Sequence, residues 1–220
     1  MKTGIIIPVK ELRESKARLA SILSASEREE LTMIMFSEVI ENIRKSQLVD
    51  EILTVTPDDQ VAELGKSLGS TIILEDYSRG VNIAVFKGNE YYTARRFNAT
   101  LVLPADIPLI AKSDLDRIIE LAVDNDVIIT PSLNQDGTNA LLQRPPAAIE
   151  TFYDNDSFTN HVRESLEKRL KSFIFRAPSI MLDVDSPHDV LQVISNGPKS
   201  RTARFLKQQS QEGRVRDIRN

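Results

Sequence analysis

The chain has 220 residues, 41% hydrophobic and 27% charged, a balance that suits one globular domain with a full-sized core and excludes wholesale disorder. The absence of cysteine excludes disulfides, thiolate catalysis and cysteine-ligated zinc, and the two histidines, His161 and His188, are too far apart in sequence to suggest a histidine-rich metal centre. The net charge of −4 divides unevenly, because residues 198–220 carry seven Lys/Arg against Glu212 and Asp217, a basic segment of +5 behind a body of −9.

The first predicted strand is Gly4-Ile5-Ile6-Ile7, stopped by Pro8-Val9-Lys10 and followed by Ser15-Lys16-Ala17-Arg18-Leu19. A β-branched run that ends at a proline and leads into cations predicts a strand delivering a loop to the mouth of an α/β sheet, where anions bind. No glycine follows Gly4 in this loop, so neither the dinucleotide fingerprint nor the P-loop is present. Side chains must carry the phosphate charge instead, and Lys10, Lys16 and Arg18 are the candidates.

Ser26-Glu27-Arg28-Glu29 reads as a capping box that opens an amphipathic helix with Leu31, Ile34, Met35, Val39 and Ile43 on its apolar face. A strand over 51–56 is bounded by Pro57-Asp58-Asp59, and the helix that follows stops at Gly69. Strands are predicted at 71–74, 100–103 and 127–130, with helices over 82–97 and from Ser113. Five strand–helix alternations predict a single-domain, Rossmann-like, mainly parallel α/β sheet with helices on both faces.

Farther on, Gly137-Thr138-Asn139-Ala140-Leu141-Leu142 joins a turn to a strand, Ser157 caps a helix through Leu170, and 173–175 is a short strand. Ser186 is an N-cap with Pro187 at the first helical position and Asp189 as the box acid. Asp183 and Asp185 precede that cap on an expected strand, where alternation sets both carboxylates on one face. The predicted organisation is a domain over 1–197 and a basic tail over 198–220, disordered or packed on a partner subunit. No run approaches a membrane span and no signal segment is visible, so a cytoplasmic location is expected.

Pro104-Ala105-Asp106-Ile107-Pro108 places an acid directly after an apolar strand, between two prolines that fix the backbone direction. Asp106, Asp183 and Asp185 with the three cations of the first loop make up the minimum machinery for attack at phosphorus around a hard divalent ion. Asn82 and Asn139 carry a donor and an acceptor on one short side chain, which suits either ribose or base binding or turn stabilisation.

At these residues the chain resembles the 2-phospho-L-lactate guanylyltransferase (CofC) family, nucleotidyltransferases with a glycosyltransferase-A-like fold. The resemblance is carried by the first strand and its cation loop, Gly80-Val81-Asn82, the proline-flanked Asp106, Gly137 to Leu142 with Arg144-Pro145-Pro146, Ser157-Phe158, and Leu182 to Pro187. It implies GTP as donor, Mg2+ held by Asp106 and Asp185 with Asp183, and Lys10, Lys16 and Arg18 on the triphosphate and leaving pyrophosphate. It further implies a phosphorylated three-carbon acid bound through Thr138 and Ser157. The family's Phe-Gly-Pro-Gly-Ser-Phe-like loop is here one residue longer and lacks glycine, and Tyr153 stands roughly where a glycine would offer its backbone N–H. The alternatives are a sister enzyme charging phosphoenolpyruvate, 3-phosphoglycerate, a sugar phosphate or the molybdenum cofactor, or a non-catalytic GTP-binding domain. The near absence of aromatic residues in the basic tail argues against nucleic acid as partner, and a homodimer is the expected assembly.

Overall fold

The computed structural model describes residues 1–211. An interior strand of its sheet, β1 (Thr3–Pro8), is the apolar run at the start of the chain. Ile5 and Ile7 face one side, in a cluster with Phe36, Val39 and Leu101, while Ile6 faces the other, with Val85, Tyr92 and Val102. All three isoleucines are fully buried, as a strand covered on both faces requires.

Strand–helix alternation then proceeds through α1 (Ala25–Ile43), β2 (Glu51–Thr56), α2 (Asp59–Ser67), β3 (Thr71–Leu74), α3 (Val81–Ala94), β4 (Ala99–Val102), α4 (Lys112–Leu121) and β5 (Val127–Pro131). Next come β6 (Thr138–Gln143), α5 (Ser157–Glu167), β7 (Ser172–Ile174), α6 (Pro178–Met181), α7 (Pro187–Asn196) and α8 (Arg201–Gln211). The seven strands form one sheet in the order β3-β2-β1-β4-β6-β5-β7, with β6 antiparallel to both neighbours and every other pairing parallel. This is the mainly parallel α/β sheet expected from the alternation. The chain winds outward from β1 to β2 and β3, then crosses back to lay β4 on the opposite side of β1. The carboxyl ends of β1 and β4 therefore flank a topological switch point, where sheets of this class leave a crevice.

Helix α3 lies unusually close to β1. A Cβ on Gly4 would fall 2.5 Å from the Tyr92 ring, and the Tyr92 hydroxyl beneath it donates to Ile5 O at 2.9 Å and Glu51 O at 3.1 Å. Burial pushes the Tyr92 phenol well above the ordinary tyrosine range, so it remains a donor.

Several local expectations are corrected. The α1 cap is Ser24, whose hydroxyl accepts from Glu27 N while its own N–H donates to the Glu27 carboxylate at 2.6 Å; Ser26 already lies inside the helix. Helix α5 starts at Ser157 but its N-cap is Asp156, in the left-handed region, and it ends at Glu167. Residues 182–185 form no strand and join no sheet; a single backbone bond, Val184 N to Asp106 O at 3.1 Å, ties them to the loop after β4.

The boundary expected at 197 is not a break in packing. Helix α8 places Ala203 and Leu206 in a third apolar cluster with Leu31, Met35, Leu182 and Val184. Its first turn is capped by a buried carboxylate on another helix, since Glu38 accepts from Arg201 N at 2.6 Å, Thr202 N at 3.0 Å and Thr202 Oγ1 at 2.6 Å. A count of charges misses the narrow stripe of Thr202, Ala203 and Leu206 on the face that packs. The rest of the basic segment, residues 212–220, lies outside the described residues. No helix among the described residues is long and apolar enough to cross a membrane.

Gly4→Ala should destabilise the protein by about 1–3 kcal/mol, because the methyl group meets a buried ring that cannot retreat from two backbone acceptors. Urea denaturation of the two proteins tests this, and equal midpoints would show that α3 yields easily.

Candidate active site

A cleft of about 340 Å3 crosses the carboxyl ends of β3, β2, β1 and β4 and the amino end of the antiparallel β6. Its wall includes Glu75 beyond β3, Val55 of β2, Lys10 beyond β1, Asp106 beyond β4 and Thr138 of β6. Asp106, Asp183 and Asp185 each offer an oxygen within 4.8 Å of the others. The backbone positions all three. Pro104 and Pro108 fix the loop bearing Asp106, the Val184 bond carries the second segment to it, and the α7 capping acid Asp189 accepts from Asp185 N at 3.1 Å.

Lys16 binds this cluster. It sits between two 3-10 turns, Leu12–Glu14 and Ala17–Leu19, at φ 54 and ψ 38, a left-handed conformation that costs a non-glycine residue on the order of 1–2 kcal/mol. From there its buried ammonium donates to the Asp106 carboxylate and, at 2.7 Å, to Asp185 Oδ1. Burial alone would push this ammonium down, but the two carboxylates outweigh it and hold Lys16 above the ordinary lysine range. Burial likewise works against Asp185, yet Lys16 and Arg18 keep its carboxyl below the usual carboxylate range. Asp183 goes the other way, pushed up to about 6 by burial and by the neighbouring Asp106 and Asp185.

The donor set suits a hard divalent cation. Three carboxylates converge, and Asp106 Oδ1 is buried with no hydrogen-bond partner among the described residues. Lys10 lines the cleft, whereas Arg18 is a rim residue, its side chain 80% exposed and 3.8 Å from Asp185.

The sequence matches the family model described as guanylyl transferase CofC like over residues 3–215. It is 34% identical over 207 residues to a 2-phospho-L-lactate guanylyltransferase of Methanothermobacter thermautotrophicus, covering 94% of this chain and 91% of that one. The chain belongs to the CofC guanylyl transferase family. A phosphoenolpyruvate guanylyltransferase of Rubrobacter xylanophilus is 33% identical over 198 residues, covering 90% of this chain and 96% of the relative. In fold, a structure described as a nucleotide-diphospho-sugar transferase from Desulfovibrio desulfuricans superposes with a TM-score of 0.79 at 14% identity, over 99% of this chain and 98% of that one. A cytidylyltransferase from Leptospira borgpetersenii superposes with a TM-score of 0.62 at 14% identity, over 98% and 96%.

In this CofC-family chain the residues expected to bind substrate divide between cleft and scaffold. Thr138 lines the cleft. Asn139 is buried and its amide donates to Ile180 O, Met181 O and, at 3.0 Å, to Asp183 Oδ1, so it orients an acid and has no donor left for ribose or base. Asn82 is also engaged, donating to Asp154 and accepting from Tyr153 N at 2.9 Å. That bond occupies the Tyr153 N–H expected to face a ligand, although Tyr153 is among the residues that line the cleft. Ser157 is buried at the start of α5, behind the left-handed Asp156, and is not among the residues that line the cleft.

Sequence reasoning missed His161. This fully buried ring accepts from Phe152 N through Nε2 at 2.9 Å, so Nδ1 carries the hydrogen and donates to Thr138 Oγ1 at 3.0 Å. The Thr138 hydroxyl hydrogen is thereby not used by His161. Histidines are readily recognised as bases or metal ligands, and nothing in the spacing between Thr138 and His161 marks one as a buried support.

Burial pushes His161 down to about 4, against 6.5 for an ordinary histidine. The unfolded chain therefore binds more protons between these values. The stabilisation is complete above pH 6.5 and is lost as pH falls toward 4, an effect on the order of 3 kcal/mol. Urea midpoints measured from pH 7 to 4 should fall less steeply for His161→Gln than for the parent; parallel curves would show that the buried ring does not drive this limb.

Proposed function

We propose that the protein transfers GMP from GTP to the phosphate of 2-phospho-L-lactate, forming lactyl-2-diphospho-5'-guanosine and pyrophosphate for deazaflavin coenzyme biosynthesis. The observation that carries this reading is the Asp106, Asp183 and Asp185 cluster with Lys16 among its carboxylates, set at the switch-point crevice of a CofC-family fold. Family membership and the curated relatives support the reaction class.

A phosphate oxygen of the acceptor attacks the α-phosphorus of GTP, the new P–O bond forms as the bond to the β-phosphate oxygen breaks, and pyrophosphate leaves. The acceptor phosphate is already largely ionised at neutral pH, so the step needs no general base, in keeping with a buried, neutral His161. Asp106, Asp183 and Asp185 would hold Mg2+, which when bound supplies Lewis-acid polarisation and neutralises phosphate charge. Lys10 and Lys16 meet the triphosphate from the cleft wall and Arg18 from the rim. Without nucleotide, Lys16 acts as the counter-ion of the acids; a triphosphate offers it a second anionic partner. Thr138, its hydroxyl hydrogen not used by His161, donates to the acceptor. The site loop around Tyr153 and Asp154 departs from the family pattern, and a relative as similar as 33% is named for phosphoenolpyruvate, so phosphoenolpyruvate is the second acceptor to test.

Pyrophosphate release should require GTP, Mg2+ and a three-carbon phospho-acid, with 2-phospho-L-lactate preferred over phosphoenolpyruvate and 3-phosphoglycerate. Asp106→Asn should lower turnover on the order of 100-fold or more with an unchanged circular dichroism spectrum. No release with any acceptor would favour a nucleotide-binding domain without catalysis.

A further inference from the structure

The cleft contains a second buried carboxylate, remote from the acid cluster. Glu75 directly follows β3, its N–H donates to Thr56 O of β2 at 2.9 Å, and its side chain is only 4% exposed. Lys87 of α3 donates to Oε1 at 2.7 Å, and no hydrogen bond from the described residues reaches Oε2. A carboxylate removed this far from water is tolerated when its acceptors are used, and one ion pair leaves most of that capacity open.

The surroundings suit a flat ring. Ser78, Gly80, Val81 and Ala84 line the same cleft as Glu75, and a Cβ added to Gly80 would meet nothing within 4 Å, so there is free space at that position. Its position in the sheet also suits a nucleoside. Neighbouring strands are spaced about 4.8 Å apart, which puts the end of β3 about 14 Å from that of β4. Phosphates met by Lys10 and Lys16 beyond β1, and an acceptor at Thr138 on β6, leave the β2–β3 side for the base.

Among the common bases, guanine alone presents two adjacent donors, N1–H and the N2 amino group, on its pairing edge. Adenine and cytosine place a ring acceptor there, which a carboxylate repels. Resting on guanylyl transfer as the reaction, we propose that Glu75 reads the guanine base by accepting from N1–H and N2–H, while Lys87 fixes the orientation of the carboxylate.

Calorimetric titration of the full chain and of Glu75→Gln with GTP, inosine triphosphate, xanthosine triphosphate and ATP, in Mg2+, tests the assignment. The parent should bind GTP more tightly than the inosine and adenosine nucleotides. Glu75→Gln should weaken GTP by on the order of 10- to 100-fold and strengthen xanthosine triphosphate, whose C2 carbonyl accepts from the new amide. Unchanged GTP affinity, or loss of GTP without a gain for xanthosine triphosphate, overturns the role of Glu75. A parent protein that binds ATP as tightly as GTP overturns guanylyl transfer itself, whereas a GTP preference that survives the substitution removes Glu75 alone.

Discussion

One buried ammonium group makes the rest of the site possible. Three carboxylates with oxygens inside 4.8 Å repel one another and resist burial, and the rise of Asp183 to about 6 is the residue of that conflict. Lys16 relieves it by donating to Asp106 and Asp185 together. Its left-handed backbone is the local cost of aiming a long side chain from a surface turn into a crevice between strand ends. Removing either partner would leave an uncompensated charge, so loop, strand end and acid segment are mutually dependent.

The scaffold behind this cluster is rigid where the chemistry demands it. The parallel register of β1 and β4 aligns their carboxyl ends, and Leu103 N donates to Ile6 O just before the proline-flanked acid. Asn139 and Asp189 then secure the opposite segment by bonding Asp183 and the Asp185 backbone. The same architecture is found in structures only 14% identical to this chain. The fold requires only apolar strands and well-placed turns; the chemistry comes from side chains at the strand ends.

Much of this was legible in the residues. A continuous isoleucine run marks a strand buried on both faces, and an acid between two prolines after an apolar strand marks a fixed ligand mount. These signals are local, and local signals survive without a third dimension. What the residues leave open is decided by distant partners. Asn139 has the chemistry of a ribose ligand, and only its contacts with α6 and Asp183 reveal a support. Tyr153 N–H was legible as a donor, but its acceptor lies on Asn82, 71 residues away. Ser24 and Ser26 offer the same box spacing, and the backbone path alone chooses between them. The charge of residues 198–220 concealed α8, because composition averages over the stripe that packs.

The packing of α8 bears on how the protein comes into being on the ribosome. Lys16 meets acids 90 and 169 residues farther along the chain, and the second of these stands on Leu182 and Val184, which pack with Ala203 and Leu206. A growing polypeptide thus has all seven strands before it has its charge cluster. Lys16 must therefore wait, solvated, until residues 182–206 have emerged before both of its acids are held in place.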